Sequence, residues 1–137
     1  MYNGLMAGYS GRTLIDKLGI KAGQLVYFRD APDNYAKLLG SLPKGVFLAK
    51  KLNRPMDFMQ CFYTEQAKLK KDTIHFKQYL EQNGILWICW PKKTSKVETD
   101  VTEDTLRKVL LPLNLVDIKV AAIDETWSGL KFVWRKS

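Results

Sequence analysis

The chain has 137 residues, with 22 lysines and arginines against 14 acids and a net charge of +8 at neutral pH. That length suits one domain burying about two-thirds of its unfolded surface, and the 46% hydrophobic, 12% aromatic composition excludes a disordered chain. One histidine and two cysteines without a CxxC spacing exclude a multi-histidine metal centre, a zinc ribbon and a disulfide framework.

The longest apolar runs, residues 85–90 and 109–111, fall far short of the roughly 20 residues a membrane helix needs. No basic segment followed by an apolar one opens the chain, so a cytoplasmic protein without membrane contact is expected. The first predicted element is a short helix within 7–24. Ser10 or Thr13 can cap it, Leu14, Ile15 and Leu18 form its apolar stripe, and Gly19 supplies the left-handed stop. The loop before it, AGYSG at 7–11, reads either as a close-passing turn or as a lid or anion nest.

Residues 24–28 read as a strand, because Val26, Tyr27 and Phe28 are β-branched or aromatic. Asp33 can start a helix that turns Tyr35, Leu38 and Leu39 inward and ends at Gly40. Two more strands are expected at 46–48 and 56–63. A long helix over 65–82 follows, capped by Thr64, with Leu69, Thr73, Phe76 and Leu80 on its buried stripe. His75 lies off that stripe and reads as a surface residue. Cys61 and Cys89 fall inside strands and read as buried thiols packing as small apolar groups.

The Asn83-Gly84 pair then leads into an apolar strand over 85–90 that breaks at Pro91. Asp100 or Thr102 caps a further helix, with Glu103 and Asp104 at its positive end and Leu106, Val109, Leu110 and Leu113 inward. Strands at 117–123 and 130–134, joined by DETWSG, fit a hairpin. Alternating strands and helices with short links predict a single α/β domain. The expected architecture is three-layer and Rossmann-like, a mostly parallel sheet with an antiparallel C-terminal edge.

In such a sheet the ligand crevice lies beyond the carboxyl ends of the parallel strands. That rule brings residues 90–95 and 124–129 to one rim. Lys92, Lys93 and Ser95 would hold an anionic group there, beside Asp124 and Ser128, with Trp90 or Trp127 stacking a flat ring. The same residues have a structural reading, in which the lysines pair with Asp124 and Glu125 and Trp127 plugs the sheet edge. No nucleophile–base pair, GxSxG elbow or phosphate loop is present. The reading that follows is a non-catalytic domain taking an anionic small molecule or nucleotide. Nucleic-acid binding through the +8 charge is an alternative.

The order of elements also resembles a small version of the Rossmann-like fold of S-adenosylmethionine-dependent methyltransferases. LGIKAGQLVYF resembles the entry to their first strand, and LEQNGILWICW their late helix, glycine turn and fifth strand. This resemblance implies a divergent methyltransferase as a further alternative. The chain departs from that family at residues 29–34, RDAPDN, where the family has a glycine-rich loop. It departs again at Ala49, Lys50 and Lys51, where an acid would bind ribose. Both departures set the expectation that no cofactor, and specifically no S-adenosylmethionine, is bound. The peptides AGYSG, WPKKTS, TDVTED and DETWSGL together resemble a bacterial family known only as a domain of unknown function. That resemblance implies a small cytosolic bacterial protein and brings no activity or catalytic residue.

Overall fold

A computed structural model describes residues 12–136. Six strands among them form one sheet in the order β2-β1-β3-β4-β6-β5. Strands β1 (Leu25–Arg29), β2 (Phe47–Leu48), β3 (Met56–Phe62) and β4 (Leu80–Pro91) run parallel. At the far edge β6 (Trp127–Trp134) runs antiparallel to both β4 and β5 (Leu115–Ala122). The mostly parallel sheet with an antiparallel C-terminal edge is therefore present as expected.

Helices cover both faces because the strands are apolar on both. On one face α1 (Leu14–Leu18) and α2 (Tyr35–Leu39) bury Ile15, Leu18, Tyr35 and Leu39 against Phe58, Trp87 and Cys89. On the other, α3 (Gln66–Tyr79) and α4 (Glu103–Leu110) bury Leu69, Phe76, Leu106 and Leu110 against Met59, Leu86 and Ile88. Alternation along β4 decides the partition: Leu86, Ile88 and Trp90 face α3 and α4, while Trp87 and Cys89 face α1 and α2.

The helix ends follow local chemistry. Thr13 caps α1 by accepting from the Asp16 amide at 3.1 Å, and Gly19 closes it at φ +87°. Thr102 and Thr105 form a reciprocal capping box at the start of α4. Asp100 caps a different helix: its Oδ1 accepts from the Gln66 amide at 2.7 Å, at the start of α3. The Trp87 indole donates to the Leu18 carbonyl at 2.8 Å and locks the last turn of α1 to the sheet.

Other expectations change, and the cap of α3 is one of them: Glu65, not Thr64, holds the N-cap position. The long helix stops at Tyr79 because β4 already begins at Leu80. The Asn83-Gly84 pair lies within β4, where the pairing shifts from Met56–Leu80 to Phe58–Ile85, and makes a bulge. A Cβ on Gly84 would lie 2.7 Å from Leu80 Cδ1 and 2.9 Å from the Glu81 carbonyl oxygen. Gly84→Ala is therefore expected to cost about 1–3 kcal/mol by urea denaturation, since the backbone oxygen cannot yield as a side chain does. Finally, Leu38 is exposed, and its intended inward place is filled by Tyr35 and Leu39 alone.

The core holds polar groups without leaving them unpaired. Tyr35 donates to Gln60 Oε1 at 2.6 Å, and Gln60 Nε2 donates to Cys89 Sγ at 3.3 Å. Both cysteines are buried and free, and burial pushes their thiols up, Cys89 to about 12. Burial likewise raises the Tyr35 and Tyr63 phenols. These acids titrate higher in the folded chain than in the unfolded one, so the native state keeps protons that the unfolded state releases. Their contribution is complete below the ordinary thiol value and is lost as pH rises beyond it. The urea midpoint is expected to fall between about pH 8 and about pH 11.

Candidate functional site

Strand order reverses between β1 and β3. From β1 the chain crosses through α2 to β2 on one side, and from β3 through α3 to β4 on the other. Because those helices lie on opposite faces, the segments leaving β1 and β3 diverge and open a crevice at the carboxyl rim. Arg29 and Asp30 leave β1 there, and Tyr63 and Thr64 leave β3.

The turn after β1 is tight despite having no glycine. Asp30 itself takes the left-handed conformation, at φ +56°. Short acids tolerate this region better than other non-glycine residues. The Asp30 carboxylate is held in place by the Lys68 ammonium of α3. Beyond it, Phe28, Ala31, Pro32, Asp33, Tyr35 and Leu48 line a mainly apolar cleft of about 280 Å³. Phe28 and Tyr35 meet edge to face in its wall, with ring centres 5.7 Å apart. Asp33 is exposed at its lip.

A buried polar network supports this turn from beneath. Arg29 Nη1 lies 2.9 Å from Asp72 Oδ2, and the same oxygen accepts from Tyr63 Oη at 2.6 Å. Arg29 also donates to Tyr27 Oη at 3.3 Å and to His75 Nδ1 at 3.3 Å. A guanidinium only donates, so Nδ1 is the acceptor and the histidine proton sits on Nε2. Burial alone would lower the Arg29 pKa, but the bonds to Tyr27 and Asp72 outweigh it and the net shift is upward. His75, expected at the surface, is thus half-buried beside Arg29.

The residues chosen from sequence lie along the same rim, but not in one pocket. Trp90 is buried on the α3–α4 face. With Lys93, Thr99, Val101 and Arg107 it lines a second cleft of about 600 Å³. Trp127 lies on the opposite face, edge-on to Phe62 with ring centres 5.1 Å apart. Lys92 extends its Nζ to the Asp124 carbonyl oxygen at 2.7 Å, and its amide donates to the Thr126 carbonyl at 2.8 Å. The Asp124 carboxylate accepts the amides of Thr126 and Trp127, at 2.8 and 2.7 Å. Ser95 Oγ donates to the Lys92 carbonyl at 2.6 Å, and Ser128 pairs with Trp90 across β4 and β6. The AGYSG loop lies outside the described residues.

Sequence reasoning missed the cleft beside Ala31 and the Arg29–Asp72 network beneath it. The signal for the second was ambiguous: Asp72 and Thr73 both sit at a helical spacing between Leu69 and Phe76, and only Asp72 is buried.

No protein-family model and no curated protein matches the chain. Solved structures do. A SAM-dependent methyltransferase from Aquifex aeolicus superposes with a TM-score of 0.59 at 16% identity, covering 87% of this chain and 86% of that one. The DhpI–SAH complex gives a TM-score of 0.62 at 9% identity, covering 91% and 83%. A methyltransferase from Clostridium acetobutylicum, S-adenosylmethionine-dependent, gives 0.54 at 11%, covering 88% and 87%.

The fold is that of the S-adenosylmethionine-dependent methyltransferases. The expectation that no cofactor, and in particular no S-adenosylmethionine, belongs here is overturned by these neighbours. Its physical premise fails as well. The missing glycines of residues 29–34 set that expectation, yet Asp30 makes the turn that a glycine would make, and the space beside Ala31 and Pro32 is open.

Proposed function

We propose that the chain is a divergent methyltransferase whose S-adenosylmethionine sits at the carboxyl end of β1, in the cleft between β1, α2 and β2. The observation that carries this reading is the open apolar cleft at the carboxyl end of β1, bounded by α2 and β2 and next to the point where strand order reverses. The fold relationship supports it above a non-catalytic binding domain.

The residues present fit most of such a ligand. Phe28, Ala31, Pro32 and Leu48 offer a flat apolar slot suited to an adenine ring. Asp33 at the lip is the acid available to ribose hydroxyls, since Ala49, Lys50 and Lys51 follow β2 in place of one. When bound, the cofactor would supply an electrophilic methyl group on a sulfonium. The chain's own part is to hold the ring, orient the methionine end along the rim and exclude water. Lys92, Lys93 and Ser95 at the end of β4, with Trp127 and Ser128 at the start of β6, then serve the methyl acceptor. Their charge favours an anionic small molecule or nucleotide.

Calorimetry with S-adenosylmethionine tests the reading. Binding is expected to saturate below about 1 mM. Ala31→Trp, which fills the slot, should abolish that heat while the variant keeps the parent's circular-dichroism spectrum and a cooperative melt. Silence at millimolar cofactor, or equal binding by Ala31→Trp, sinks the proposal.

A further inference from the structure

The lysines look scattered in sequence, yet the fold gathers four cations, Arg12, Lys21, Lys119 and Lys131, at one place. Lys119 of β5 stands directly opposite Lys131 of β6 in the strand register. Both side chains point to the α1 face, because Ala121 and Gly129 on the same face pack toward Ile123 and Trp87. Lys119 Nζ reaches the Lys17 carbonyl of α1 at 3.4 Å. Lys131 Nζ lies 3.5 Å from the position a Cβ would take on Gly19, at the end of the same helix. Arg12 and Lys21 flank α1 and act on Lys131 through space.

This arrangement is costly as it stands. Like charges directly opposite on adjacent strands repel. Burial, then Lys119, Lys21 and Arg12, hold the Lys131 ammonium below the ordinary lysine range. Among the described residues, the ion pairs engage Arg29, Lys68 and Arg107, and none reaches Lys17, Lys21, Lys119 or Lys131. Residues 1–11 contain no aspartate or glutamate that could neutralise them. The carbonyl end of α1 offers partial negative charge, but that helix has five residues and its dipole cannot balance the cluster.

We propose that this cluster is a docking site for the phosphodiester backbone of a nucleic acid, a role beyond the cofactor cleft. Half-buried ammonium groups fixed where α1 meets the β5–β6 edge match a run of phosphates. A membrane surface fits less well: the exposed apolar residues of β5, Ile118 and Val120, alternate onto the opposite sheet face. The contacts are to phosphate, so binding is strong in charge and weak in sequence preference.

Fluorescence anisotropy with a labelled single strand of about 20 nucleotides tests this on the full chain. Affinity is expected to fall steeply between about 50 and about 200 mM salt, and Lys119→Gln with Lys131→Gln should lower the salt slope by about 1–2. The same pair should weaken binding about tenfold at the lower salt. Lys21→Glu, in an exposed loop position, gives a second reading free of any folding effect and should weaken binding in the same direction. The double variant should also melt higher than the parent at low salt, because it removes repulsion. Binding unchanged in both variants, no salt dependence, or binding to phosphatidylserine vesicles in preference to the oligonucleotide overturns the proposal.

Discussion

Asp72→Ala is expected to cost about 3 kcal/mol of folding stability, measured by urea denaturation. One carboxylate oxygen holds both the Arg29 guanidinium at 2.9 Å and the Tyr63 hydroxyl at 2.6 Å. The side chains of Asp72 and Arg29 are only 9% and 19% exposed, so water cannot replace the lost partner. Truncation leaves a cation and a phenol stranded between α3 and the sheet. Arg29 retains His75 and Tyr27, which keeps the cost at the low end of the range for buried pairs. Arg29→Met in the Asp72→Ala background should recover part of the loss, since removing both charges is cheaper than removing one. A loss below about 0.5 kcal/mol for Asp72→Ala would show the pair to be no stronger than a surface ion pair.

The consequence reaches the candidate site. Arg29 is the last residue of β1, and Asp30 immediately after it carries the left-handed turn that opens the cleft. The network therefore anchors the residue from which that turn departs. Anchoring by side chains under the sheet holds this glycine-free turn in place, and the Asp30 carboxylate faces Lys68. Loss of Asp72 should loosen the cleft before it unfolds the chain.

How much of this was legible depended on sequence distance. Thr13 with Gly19, and Thr102 with Glu103, are local signals that need nothing beyond a few neighbours, and each marks a helix end in the structure. The rim was legible too, because strand ends follow from the alternation of elements. The Arg29–Asp72 pair was not, since its members stand on β1 and α3 and the apolar stripe gives no reason to prefer Asp72 over Thr73. The basic cluster was invisible for the same reason, as Lys119 and Lys131 come beside Arg12 and Lys21 only when α1 docks on the sheet edge. The cleft was misread because glycine content stood in for backbone conformation. What the turn requires is φ near +56°, and an aspartate can supply it.

The segment DETWSGL is where the sequence and the packing agree most closely. Asp124 folds the turn by accepting two backbone amides, Trp127 meets Phe62 edge-on, and Leu130 enters the core. Gly129 has the most demanding place. It pairs with Cys89 across β4 and β6, and a Cβ there would lie 3.0 Å from Trp87 Cε3 and 3.2 Å from both Cys89 Sγ and Ile123 Cδ1. Trp87 cannot retreat without giving up its 2.8 Å bond to the Leu18 carbonyl, which docks α1.

Gly129→Val is accordingly expected to cost about 3 kcal/mol, and Gly129→Ala about 1 kcal/mol, in urea denaturation. The strain has a definite direction: it pushes Trp87 toward α1, so the amides of Gly19 and Ile20 that close that helix should lose hydrogen-exchange protection before those of β3. Trp87→Phe removes both the crowded ring and the indole donor, and in that background the added cost of Gly129→Ala should shrink. If Gly129→Val unfolds within about 0.5 kcal/mol of the parent, the glycine is not held by packing. If instead the cost is large but insensitive to Trp87→Phe, the crowding lies with Cys89 and Ile123, and α1 docking is independent of the β6 edge.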